Sequence, residues 1–169
     1  MSIQGIEQNV QWRGSLEEAR EDVRSEGKLV FVFLWHHNCG GSKTMGEITY
    51  PDGAVRAYIE EHFVPVRFNT IERPEVEESF NSGWTPTIIV DDAEGREHRR
   101  SQGYLDPRRF IGEMALARKK ALWTATITRP RSDSRRRRWN GPKATRRASR
   151  RPSTGPPSPP SRRAATATT

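Results

Sequence analysis

The sequence has one cysteine, Cys39, and no second thiol to pair with it. That excludes an internal disulfide framework, and a lone thiol fits a reducing compartment better than secretion. No apolar run approaches the roughly 20 residues of a membrane helix. The start, MSIQGIEQNVQWRGS, has no basic stretch followed by an apolar one, so no secretory signal is expected. On these absences the chain is expected in the cytoplasm, away from membranes. Acidic charge is also nearly missing from the C-terminal segment. Residues 121–169 hold 13 Lys+Arg against a single Asp, a net of +12, whereas residues 1–120 hold 16 against 20, a net of −4. The overall +8 is thus a property of the tail alone.

What is present in the first 120 residues is an alternation of helical and strand patterns. SLEEAREDVRSEGK reads as a helix, with Ser15 as N-cap, Glu18 at capping-box spacing and Gly27 as the stop. KLVFVFLW is a short, unbroken apolar run, the pattern of a strand buried on both faces. HHNCGG reads as a loop. Val55, Tyr58, Ile59 and Phe63 fall at helical spacing after Asp52. FVPVRFN is a second strand in which Pro65 is awkward for a central position. RPEVEESFNSG is a short helix with Pro74 in its first turn. TPTIIVDD and EHRRSQGY form a hairpin around AEGRE, and DPRRFIGEMALARKKAL is a helix capped by Asp106 that ends at Leu122. The expected fold class is α/β, a central mixed sheet flanked by helices, over one domain at residues 1–122.

Residues 123–169 are Arg, Ser, Pro, Thr and Ala with almost nothing apolar, so they are expected to be disordered. The Arg clusters and Trp139 raise nucleic-acid binding, but a disordered extension without function is the preferred reading. The abrupt change of composition after Leu122 also suggests an out-of-frame extension, which resequencing independent isolates would test.

The segment FLWHHNCGGSKTM carries the candidate chemistry. A structural zinc needs four ligands, and the local set offers only Cys39, His36 and His37, so no metal is expected. Cys39-Gly40-Gly41-Ser42 has the pattern of the monothiol C-G-F-S segment, but Gly41 lacks that motif's phenylalanine. No cofactor is expected.

With Trp84-Thr85-Pro86-Thr87 before a later strand, and C-x-x-S-x-x-M after the first one, residues 12–120 resemble the thioredoxin superfamily. The resemblance implies a thioredoxin-like fold with Cys39 at a helix N-terminus, where backbone N–H groups and the helix dipole favour a thiolate. It implies a cis Pro86 beside Cys39, with the Thr85 backbone open to an extended substrate. Trp35 and Trp84 would then offer an apolar rim or lie partly buried near the site, and His36 and His37 would be loop histidines without chemistry or, as the lesser reading, tune Cys39. Gly40 and Gly41 would let the backbone turn and keep the sulfur accessible. Ser42 stands where the resolving cysteine belongs, and Phe33 where thioredoxins carry a buried acid. The expected activity is therefore monothiol thiol–disulfide exchange on protein or glutathione mixed disulfides, with an external thiol completing release. The alternative is a non-catalytic module that keeps the peptide groove.

Overall fold

The structure is a computed structural model that describes residues 9–128 and Gly155. The elements are α1 (Leu16–Glu26), β1 (Leu29–Trp35), α2 (Gly40–Thr44), α3 (Gly53–His62), β2 (Phe63–Asn69), α4 (Pro74–Ser79), β3 (Thr87–Asp91), β4 (Glu97–Gln102) and α5 (Pro107–Thr128). A π-helical turn, Met45–Thr49, continues α2 without a break. The strands lie in the order β2-β1-β3-β4, with β1 parallel to β2 and antiparallel to β3, and β3 antiparallel to β4. This is the mixed sheet flanked by helices that the sequence implied.

Alternation along β1 divides the core. Phe31, Phe33 and Trp35 face one layer with Val55 and Ile59 of α3 and Phe110 and Met114 of α5. Val30, Val32 and Leu34 face the other, with Ala19 and Val23 of α1 and Val76 of α4. The first layer is aromatic. Tyr50 meets Phe33 edge-on at 5.3 Å, and Phe31 meets Phe110 at 5.7 Å. Such pairs each add about 0.5–1.5 kcal/mol beyond their area burial.

The helix ends follow their capping residues. Ser15 Oγ accepts from the Glu18 N–H at 3.1 Å, while Glu18 reaches back to the Gly14 N–H at 3.0 Å. Gly27 closes α1 in the left-handed conformation, φ 67°. Asp52 accepts from the Ala54 and Val55 N–H groups, and Asp106 from those of Arg108 and Arg109.

Phe63 opens β2, where FVPVRFN put it, and buries its ring in the aromatic layer. Pro65 is tolerated because β2 is an edge strand, whose outer side carries the bridge between Arg13 and Val66. That bridge uses the Pro65 carbonyl, which accepts from the Arg13 N–H at 2.8 Å. The last helix does not end at Leu122 but runs to Thr128. No Pro or Gly occurs between Leu122 and Pro130 to stop it. The hydroxyls of Thr124 and Thr126 donate back to the Lys120 and Leu122 carbonyls. The expectations made for the rest of the tail, Trp139 included, lie outside the described residues. Among the described residues no helix is long and apolar enough to cross a membrane.

Candidate functional site

β1 ends at Trp35, and the chain turns through His36–Asn38 into α2. The Cys39 N–H donates to the His36 carbonyl at 3.1 Å, which tightens the turn. Cys39 then sits at the N-cap of α2 with extended backbone angles, and its own carbonyl accepts from the Lys43 N–H at 3.1 Å. The thiol is partly exposed at the point where the first helical N–H groups are unpaired.

The loop before β3 closes over the thiol from the other side. The Thr85–Pro86 peptide bond is cis. The Cys39 thiol donates to the Thr85 carbonyl at 3.2 Å. The loop is held by its own polar groups: Thr87 Oγ1 donates to the Trp84 carbonyl at 2.6 Å, and Ser82 Oγ donates to Thr87 Oγ1 at 3.2 Å. From the β4 side, the Gly103 N–H donates to the Pro86 carbonyl at 2.8 Å. Gly103 takes φ 86°, which a residue with a side chain seldom adopts.

Gly41 has a role that spacing alone did not reveal. A Cβ there would lie 2.9 Å from Pro86 Cδ, so the proline ring packs directly on the glycine backbone. Gly40, by contrast, has open space around it. The expectation that both glycines serve backbone turning and access is corrected: neither has positive φ, and Gly41 is needed for close approach.

Burial pushes the Cys39 thiol up, but hydrogen bonds outweigh it. The Ser42 hydroxyl and backbone N–H, the Thr85 hydroxyl and the Gly41 N–H all favour the thiolate, and the net shift is downward. Ser42 is 1% exposed, and among the described residues its hydroxyl meets no hydrogen-bond partner. It is thus a buried donor whose natural acceptor is the charged sulfur. The Thr85 carbonyl acts oppositely, because it accepts from S–H and repels S⁻.

The expected residues are not all gathered here. Cys39, Ser42, Thr85 and Pro86 come together. Trp84 lies next to them with 58% of its surface exposed. Trp35 does not form a rim. As the last residue of β1 it continues the Phe31 and Phe33 face into the core, 6% exposed, with the Arg67 guanidinium 5.7 Å above its ring. His36 and His37 flank the loop, but neither is among the groups that act most strongly on the thiol. Phe33 is fully buried, 5.9 Å from the Trp12 ring, and provides no proton acceptor. Among the described residues no group of three His, Cys, Asp or Glu side chains could hold a metal ion.

Residues 16–118 match a thioredoxin-like domain. The chain belongs to the thioredoxin-like domain family. No curated protein matches this thioredoxin-like chain. Among solved structures, a thioredoxin from Thermus thermophilus is 19% identical with a TM-score of 0.60, over 73% of this chain and 98% of that one. A candidate disulphide-isomerase from Bacteroides thetaiotaomicron is 24% identical with a TM-score of 0.58, over 66% and 94%. The oxidoreductase DsbH is 19% identical with a TM-score of 0.56, over 66% and 85%. At these identities the likeness is one of fold.

Proposed function

We propose that this thioredoxin-like protein carries out thiol–disulfide exchange by a monothiol route, with Cys39 as nucleophile and protein or glutathione mixed disulfides as substrates. The observation that carries the reading is the pairing of an accessible thiol with a buried, unpartnered Ser42 hydroxyl at a helix start. A thiolate formed there is met by donors already in place, so its formation needs little rearrangement. It attacks one sulfur of the substrate disulfide, the new S–S bond forms as the old one breaks, and the departing thiolate takes a proton from water. Ser42 cannot attack the mixed disulfide, so an external thiol such as glutathione completes the cycle. This chemistry suits the reducing cytoplasm.

The test is trapping. The wild-type chain should accumulate a mixed disulfide through Cys39 that free thiol releases, and Ser42→Cys should release it without added thiol. Failure of Cys39 to form any mixed disulfide with oxidised glutathione or a peptide disulfide would contradict the reading.

A second reading rests on Trp84, whose exposure beside the Thr85 backbone suits a peptide-binding module without turnover. Under that reading Cys39→Ser leaves partner affinity unchanged.

A further inference from the structure

The end of the sheet away from Cys39 holds a cavity of about 390 Å³. β1 begins there at Leu29 and reaches the cysteine loop only after Trp35. The cavity lies between the end of α1, the last turn of α3, the β3–β4 turn and α5. Much of its wall is alkyl, from Val23, Leu29, Ala93, Ala121, Leu122 and Ala125. His98 also lines it, with a side chain only 3% exposed. Its Nε2 lies 3.1 Å from Asp92 Oδ2. Asp92 accepts as well from the Glu94 and Arg96 N–H groups and from the Arg96 guanidinium. A carboxylate held by these donors is an acceptor only, so Nε2–H donates to it. In the neutral ring Nδ1 is then an acceptor, and among the described residues no donor reaches it.

The charges around the cavity are already engaged. Lys28 pairs with Glu26 at 2.6 Å, and Arg96 pairs with Asp92 and Glu94. The Arg118 guanidinium donates to the Tyr58 hydroxyl and lies over that ring. Glu61, 73% exposed, keeps its carboxylate in water beside His62. A ligand that fits these walls is therefore neutral, apolar in body, and brings one donor to His98. An O–H would carry lone pairs that alkyl walls cannot satisfy, whereas a pyrrole-type N–H donates and needs no donor in return.

We propose that this cavity is a second site, separate from Cys39, that binds a neutral heteroaromatic molecule through a pyrrole-type N–H donated to His98 Nδ1. The ring body lies against Val23, Leu29 and Leu122. Asp92 fixes the imidazole in the tautomer that leaves Nδ1 open to the ligand. Protonation of His98 places a hydrogen on Nδ1 and ends the bond, so binding follows the neutral ring. The site does not depend on the exchange reading.

The probe is indole, titrated into the full chain while the histidine ring nitrogens are followed by NMR. Saturable binding that moves the His98 Nδ1 signal is expected. Ala125→Trp, at an exposed position of α5, fills the cavity without altering the Asp92–His98 pair and should abolish that binding. Affinity should fall roughly tenfold as His98 protonates, the worth of one hydrogen bond. Asp91, next to Asp92, titrates at about 6, so the fall is read against the signals of His98 itself. Benzothiophene has the bicyclic shape without the N–H and should leave the Nδ1 signal in place. No saturable binding of indole, binding that survives Ala125→Trp, an affinity indifferent to His98 protonation, or an equal Nδ1 shift with benzothiophene would each overturn the proposal.

Discussion

β3 links two polar sites, one partly buried and one fully buried, that behave in opposite ways. At its start, next to Pro86, the Cys39 thiol is pushed up by burial yet ends below its ordinary value. At its end, Asp91 is 3% exposed and its carboxyl is raised to about 6 from 3.8. Burial is the main cause of that rise, and Glu97, its cross-strand partner, adds to it. Arg20 pulls the other way but does not restore the ordinary value, and Asp91 Oδ1 has no hydrogen-bond partner. The two sites share a strand and a core. They differ in whether donors converge on the charged form. Partial burial with donors lowers a pKa, and burial without them raises one.

Substitutions can break or sharpen that contrast. The largest effect is expected from Cys39→Ser, which should reduce disulfide exchange to the uncatalysed background in a turnover assay. Gly41→Ala comes next, because its Cβ would meet the rigid Pro86 ring at 2.9 Å. A loss of about 1–3 kcal/mol in urea unfolding is expected, together with slower exchange.

Asp91→Asn should act in the other direction, because it removes a costly buried charge. The folded carboxyl binds its proton more tightly than the unfolded one, since about 6 exceeds 3.8. Stability from this group therefore falls as pH rises from about 4 to about 6, and the penalty is complete above that. The Asn variant should gain about 1–2 kcal/mol at pH 8 and nothing near pH 3, read by thermal unfolding at both. Arg96→Ala should have the smallest effect on stability. The arginine is half exposed where it pairs with Asp92 at 2.7 Å, so solvent screens the pair and thermal unfolding should barely move.

The sequence made much of this fold legible because local signals agreed with one another. The apolar run of β1, the caps at Ser15, Asp52 and Asp106, and the Pro74 helix start all stand where the pattern put them. The end of α5 was misplaced because a change in composition was read as a change in structure. The residues from Trp123 to Thr128 lack any helix breaker. Trp35 was misread for a related reason. Proximity to Cys39 along the chain suggested a rim, but strand alternation turns its side chain into the core.

In the site, Cys39, Ser42, Thr85 and Pro86 could be named from their motifs. The contact of Gly41 with Pro86 could not be located from spacing, because it joins residues 45 positions apart across the sheet. Asp91 was hidden for the opposite reason. TPTIIVDD puts it in the strand, but nothing in that pattern says that its carboxyl is buried between Val30 and Glu97.

The measurement that tests the central claim most directly is the rate of Cys39 alkylation against pH, in the wild-type chain and in Ser42→Ala. The account expects an apparent pKa below the ordinary thiol value of about 8.5 in the wild type, rising when the hydroxyl is removed. A wild-type value at or above the ordinary one, unmoved by Ser42→Ala, would contradict it. The fold would then hold the thiol without activating it.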